Sequence, residues 1–287
     1  MGAVSSSSGR ALALTVLVAL APLAPAHESD GRSARPADAR RGSRAAPAPS
    51  VVRARRRAED GAIDRVLAST PLVRAAGSGR RDLALTFDDG PDAQTAAILT
   101  TLERHGAPAT FFVIGRQASA RPELVRRELR DGFAVEDHTH DHARLAGLGE
   151  AAQRAQIARG AAAITATGAP VPRLLRPPYG AYDAATLRIL RSEQRLAVLW
   201  SVDTRDYTRP GSDQIVAAAL AGARPGAIVL LHDGGGDRRQ TAAALARIVH
   251  RLRQRHYHLV TVPELLRLDP PGAGGGQDLR EQPDKLG

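Results

Sequence analysis

Two adjacent carboxylates, Asp88 and Asp89, close an apolar run in the segment Thr86-Phe87-Asp88-Asp89-Gly90. Neighbouring side chains on extended backbone point to different sides, so one carboxylate can bind a metal while the other stays free as a base. The spacing alone leaves open which does which, and the continuation Gly90-Pro91-Asp92 is also good turn chemistry. Two histidines, His138 and His142, stand four apart in His138-Thr139-His140-Asp141-His142. On a helical turn that spacing puts both rings on one face, which suits joint ligation and turns His140 away. His140 and His105 are the competing donors. Two histidines and one carboxylate make a catalytic zinc donor set with a position open for water. A metal held there lowers the pKa of water to about 7 and polarises a carbonyl. Asp137 is placed to orient a ligand imidazole.

Three more motifs complete the set. In Arg176-Pro177-Pro178-Tyr179 the prolines hold the backbone extended, and an arginine fixed this way can pair with a carboxylate in a two-pronged contact. Asp203-Thr204-Arg205-Asp206-Tyr207 and Leu230-Leu231-His232-Asp233 offer a carboxylate–imidazole pair, Asp206 with His232. Such a carboxylate fixes the tautomer and favours an imidazolium that can donate a proton. Asp203 and Asp233 read as structural neighbours, and His250, His256 and His258 as surface residues. Amide hydrolysis needs an activated water, a stabilised oxyanion and a protonated leaving group. The five motifs supply groups for all three.

The elements that must position these groups alternate. Strand-like runs fall at 83–87, 110–114, 133–135, 173–175, 196–202, 227–231 and 258–262. Helical patterns lie between them at 93–105, 122–130, 150–167, 183–192, 213–221 and 238–255. Strict alternation argues for an α/β fold with parallel strands and crossover helices. A complete eight-unit barrel typically takes about 250 residues. About seven parallel strands in a shorter stretch therefore predict an incomplete (β/α) barrel. All five motifs begin at the C-terminal end of an expected strand, the rim where such barrels carry their active sites.

The flanks differ in composition. Arg10, an apolar run at 11–24 and Ala24-Pro25-Ala26 read as a secretory signal over 1–26, with an uncleaved anchor as the alternative. The run is shorter than the roughly 20 residues of a membrane span, so no stable span is expected after cleavage. Residues 27–80 read as a disordered basic linker, with short helices conceivable at 51–57 and 63–73. The linker either contacts an anionic wall polymer or is a solvated tether. The catalytic domain is expected at 81–268 and a second disordered tail at 269–287. The net charge is +10, and residues 27–81 hold 13 arginines against 6 acidic residues, so basicity concentrates before the domain. Aromatics are only 3% of the chain and no basic helix interleaves with them, which argues against a nucleic-acid partner. The chain has no cysteine, so any metal must be held by His, Asp or Glu.

These motifs resemble the polysaccharide deacetylases of carbohydrate esterase family 4, over about residues 80–268. The resemblance implies a deformed, incomplete (β/α) barrel and a metal-dependent hydrolase. It would remove N-acetyl groups from N-acetylglucosamine-type sugars, in peptidoglycan or chitin-like oligomers. It assigns Asp88 as the base, Asp89, His138 and His142 as ligands of a divalent metal, Arg176 as the residue orienting Asp88, and Asp206 as the residue holding the acid His232. It gives the Tyr179 backbone N–H to the oxyanion and Leu230 to the acetyl pocket. Zinc is the expected ion, with cobalt(II) or another divalent ion as the alternative. Tyr207 stands where the family often has tryptophan, at the wall of the acetyl pocket, and Asp137 stands where asparagine is common. An acetyl-xylan O-acetyl esterase and a non-catalytic wall-binding protein are the competing functions. The expected location is secreted, extracellular or wall-associated.

Overall fold

The computed structural model describes residues 48–272. The signal segment at 1–26, the linker up to residue 47 and the tail from 273 lie outside the described residues. In chain order the strands are β1 (Leu72–Val73), β2 (Asp82–Asp88), β3 (Thr110–Val113), β4 (Ala134–Asp137), β5 (Leu174–Leu175), β6 (Leu196–Val198), β7 (Val202–Asp203), β8 (Ile228–His232) and β9 (His258–Leu259). The helices are α1 (Pro49–Ser69), α2 (Thr95–His105), α3 (Gly115–Ala120), α4 (Pro122–Arg130), α5 (Glu150–Ala166), α6 (Ala184–Ser192), α7 (Ser212–Gly222), α8 (Arg239–Gln254) and α9 (Val262–Leu268).

The strands form one curled sheet in the order β1-β6-β5-β4-β3-β2-β8-β7, with β9 paired to the start of β2. Every strand pair is parallel. This is the expected open barrel. All seven residues of β2 are buried, as a strand covered on both faces requires. Alternate residues divide its work. Leu83, Leu85 and Phe87 pack outward against Ile98, Leu99 and Leu102 of α2 and Leu245, Ile248 and Val249 of α8. Ala84, Thr86 and Asp88 face the other way, where Ala84 shares a cluster with Phe112, Val198 and Ile228.

Three expectations are corrected. The run at 196–202 is two short strands, not one: β6 pairs with β5 and β1, while β7 pairs with β8 at the other edge. The stretch 199–201 carries the chain from β6, next to the β1 edge, to β7 at the other edge. With the two-residue β1, this raises the count from about seven to nine among the described residues. At 258–262 only His258–Leu259 is strand, because Thr261 caps a helix by accepting the Glu264 N–H at 3.3 Å. The part of the linker within the described residues is not disordered. Pro49–Ser69 is a single helix, and Ile63 and Val66 bury beside Val73, Val262, Leu265 and Leu266. The apolar stripe of Ala62, Ile63, Val66 and Leu67 occupies one helix face. The arginines at 53, 55, 56 and 57 mask it in a reading by composition.

Candidate active site

Strand register sets the level of the site. Asp88 stands opposite His232 on one side and Phe112 on the other, Val113 opposite Asp137, and Asp137 opposite Leu175. The ends of β8, β2, β3, β4 and β5 therefore meet at one height, and each motif continues from there.

Asp88 and Asp89 separate by backbone conformation. Asp88 is the last residue of β2 and faces inward, while Asp89 has φ 75° and turns away from the strand direction. Asp88 Oδ1 accepts from Arg176 Nη1 at 2.6 Å. Arg176 is fully buried, and it also donates to Thr86 Oγ1 at 2.9 Å, Val198 O at 3.2 Å and Leu199 O at 3.2 Å. Its guanidinium lies 4.0 Å from the Phe112 ring centroid and 5.7 Å from that of Trp200. Burial alone lowers the pKa of this guanidinium, and the Asp88 carboxylate opposes that fall. Bonds in several directions leave it one orientation.

Asp89 Oδ1 lies 3.4 Å from His138 Nε2 and 3.1 Å from His142 Nε2. One ligand atom from each of Asp89, His138 and His142 lies within 4.8 Å of the others. The histidines do not share a helical turn, which corrects the spacing argument. Residues 138–142 form a loop with Thr139 at φ 66° and His142 at φ 60°, and it brings the ring centroids to 5.0 Å. His140 stays out of the cluster, with its Nε2 3.7 Å from Asp141. His105 ends α2, and the cluster does not include it.

The donor set fits a divalent cation. Asp89 Oδ1 is buried and, apart from the two imidazoles it faces, has no hydrogen-bond partner. His138 Nδ1 lies 2.7 Å from Arg176 O; donation to that carbonyl leaves Nε2 as the free donor. Burial would raise the Asp89 carboxyl, yet the two imidazoles hold it well below the usual carboxylate range. Burial would lower His138, yet Asp88 and Asp89 raise it. This negative field favours a cation. Asp137 does not orient an imidazole as expected: its carboxylate binds Thr139 N at 2.8 Å and Arg195 Nη2 at 2.6 Å, and the Arg176 carbonyl takes the orienting role.

Opposite this cluster, His232 Nδ1 meets Asp206 Oδ1 at 2.7 Å, while Asp206 Oδ2 accepts from His232 N at 2.9 Å and Thr241 Oγ1 at 2.7 Å. Burial alone would lower the His232 pKa, but the Asp206 bond and the nearby carboxylates push it up to about 9. Tyr207 sets its ring edge-to-face on His232 at 5.4 Å, and Tyr179 does the same on His142 at 4.6 Å. Tyr179 has φ 60° and is 54% exposed, so its backbone is turned at the rim. Leu230 lies two residues before His232 in β8 and is buried. Asp233 is buried and accepts from Thr95 Oγ1 at 2.5 Å, and burial raises its carboxyl to about 7. Gly235, at φ 72°, lies against the outer side of Asp89. His250, His256 and His258 are exposed.

Thr86, Thr241, Phe112 and Trp200 also shape the site and were not singled out from the sequence. Thr86 lies within the first motif, and Trp200 is the only tryptophan of the chain. Thr241 reaches Asp206 from α8 with no sequence signal.

Parallel (β/α) barrels carry their active sites on the C-terminal rim, and the ionisable groups gathered there mark this chain as an enzyme of that class. Within it, the chain belongs to the polysaccharide deacetylase family. That family's model matches residues 75–195. A chitooligosaccharide deacetylase from Bradyrhizobium is 40% identical over 201 residues, which cover 66% of this chain and 92% of that protein. A peptidoglycan-N-acetylglucosamine deacetylase from Bacillus cereus is 39% identical over 188 residues, covering 64% of this chain and 88% of that protein. The crystal structure of a peptidoglycan N-acetylglucosamine deacetylase in complex with 4-naphthalen-1-yl-N-oxidanyl-benzamide matches with a TM-score of 0.67 at 30% identity, covering 70% of this chain and 95% of that one.

Proposed function

We propose that this deacetylase hydrolyses the N-acetyl groups of N-acetylglucosamine-type units in a glycan, releasing acetate and leaving a free amine. The observation that carries the reading is the division between Asp88, locked to Arg176, and Asp89, turned toward two histidines. Asp89, His138 and His142 would hold the ion, and a set of two imidazoles and one carboxylate suits zinc, with cobalt(II) or another divalent ion as the alternative. When bound, such an ion supplies Lewis acidity toward the acetyl carbonyl and lowers the pKa of water.

The chain's own groups do the rest. Asp88, held by Arg176, takes a proton from the attacking water. The Tyr179 backbone N–H, at the rim beside His142, donates to the developing oxyanion. The C–N bond then breaks, and His232 gives a proton to the departing nitrogen. A ring charged up to about pH 9 is an acid at neutral pH, and Asp206 keeps it oriented. Leu230 and Tyr207 line the acetyl pocket. The apolar run at 11–24 supports secretion to the cell surface. The arginines exposed on the first turns of α1 support contact with an anionic wall polymer.

The test is acetate release by the purified chain from chitin oligomers, peptidoglycan and acetyl-xylan, each with and without a chelator. Chelator-sensitive release from a glucosamine polymer is expected. Release from xylan alone would move the assignment to an O-acetyl esterase. Release from none, with wall binding retained, would leave a binding protein.

A further inference from the structure

The loop that carries the two histidines has an unusual support. Thr139 and His142 are both in the left-handed region, which β-branched and bulky residues rarely occupy. Something must hold the loop in that form. Its far half is tied to α3 and α5: Thr139 O accepts from Gly115 N at 2.9 Å and His140 O from Arg116 N at 3.1 Å, while His140 N and Asp141 N donate to Gln156 at 3.1 and 3.0 Å. The turn at Thr139, next to His138, is held by Asp137. Asp137 Oδ1 accepts from the N–H of left-handed Thr139 at 2.8 Å. Its backbone carbonyl accepts from Arg176 N at 3.0 Å, and the Arg176 carbonyl in turn holds His138. Its Oδ2 accepts from Arg195 Nη2 at 2.6 Å.

Arg195 comes from just before β6, far from the histidine loop in sequence, and is 3% exposed. Its Nε is buried without a partner, so its burial is not explained by a full set of its own bonds. Gly160 of α5 closes over the pair: a Cβ there would lie 2.5 Å from Asp137 Oδ1 and 2.9 Å from the Thr139 carbonyl carbon. The ion pair is thus sealed beneath the loop, one residue from His138.

We propose that Arg195 is a positioning residue for the metal ligands. It holds the Asp137 carboxylate, which holds Thr139 left-handed, and so sets where His138 and His142 present their Nε2 atoms. This rests on the metal reading above, and its test reads zinc binding, not turnover.

The full chain would be prepared free of metal, and zinc affinity measured by competition with a chromophoric chelator, beside the melting temperature of the metal-free protein. Arg195→Met should lower both, because it leaves a buried carboxylate unpaired. Zinc affinity should fall about 10–100-fold, the usual cost of losing a group that orients a ligand. The double variant Arg195→Met/Asp137→Asn removes both charges of this pair, so its melting temperature should recover most of the loss. Its zinc affinity should stay about tenfold down, because without the Arg195 contact the new amide side chain at position 137 is held only by the Thr139 N–H. Arg195→Lys should fall between parent and Arg195→Met in affinity. Recovery of zinc affinity to within about twofold of parent in the double variant would overturn the proposal and leave the pair a structural contact. The double variant keeps the test open if Arg195→Met alone does not fold. A parent chain that binds no zinc, yet still deacetylates with another divalent ion, would overturn the choice of zinc. Failure to bind any divalent ion would overturn both readings.

Discussion

The two sides of the site hold the same kind of pair in opposite order. On one side the carboxylate of Asp88 fronts the site and the cation Arg176 stands behind it, fully buried. On the other side the imidazole of His232 fronts the site and the carboxylate of Asp206 stands behind it. Whichever partner meets the substrate decides the direction of proton flow: under the proposed roles the first pair accepts a proton and the second donates one. The supports differ as well. Arg176 rests on two backbone carbonyls, a threonine and two aromatic faces. Asp206 sits in a single 3₁₀ turn, Asp206–Thr208, between two left-handed arginines, Arg205 and Arg209. Asp88 and Arg176 are tied into the barrel, whereas Asp206 follows the edge strand β7 and reaches back to His232 at the end of β8.

Breaking the accepting side should have the largest effect. Asp88→Asn should lower kcat by about 10³-fold or more, within the range general-base groups contribute. Zinc content should stay at parent level, and a variant that loses its metal instead would show that Asp88 and Asp89 are exchanged. Breaking the donating side should cost less and depend on the leaving group. His232→Ala should lower kcat for an N-acetyl substrate by about 10²-fold. An O-acetyl aryl ester, whose leaving group needs no proton, should be hydrolysed within a few-fold of parent. Equal losses on both would remove His232 from the acid role.

The pH profile sharpens the comparison. The charged form of His232 exists below about pH 9 and is lost above it, so amide turnover should fall as pH rises through that value. Asp206→Asn removes the main contact that raises this pKa and should move the alkaline limb to lower pH. A limb that does not move would belong to another group. The smallest change is Thr241→Val, which removes one bond to Asp206. A loss of about 1 kcal/mol, or roughly fivefold in kcat, is expected.

Legibility from sequence followed the same division. The buried strands β2, β3, β4 and β8 announce themselves as short apolar runs, and the motifs at their ends come together as expected. The edges did not announce themselves. β1 and β7 are two residues each, and the apolar stretch through Leu199 and Trp200 hides the crossing between β6 and β7. α1 was obscured because its arginine-rich first half outweighs the stripe around Ile63 in any average over the segment. The four-residue spacing of His138 and His142 pointed to the right pair for the wrong reason. Their proximity comes from a left-handed loop whose Thr139 N–H is bound by Asp137, itself paired with Arg195, and a bond between residues 58 apart leaves no local pattern.

The closeness of Gly235 to Asp89 bears on how such a lineage can change. A single methyl group at residue 235 would sit 2.5 Å from Asp89 Oδ2, at a φ that disfavours side chains. Gly235→Ala should therefore displace a metal ligand while every catalytic side chain and the hydrophobic core remain intact, and the zinc content of that variant would show it. Descendants could in this way drop catalysis in one mutational step and keep the folded barrel for other uses. The reverse step would restore the enzyme as cheaply.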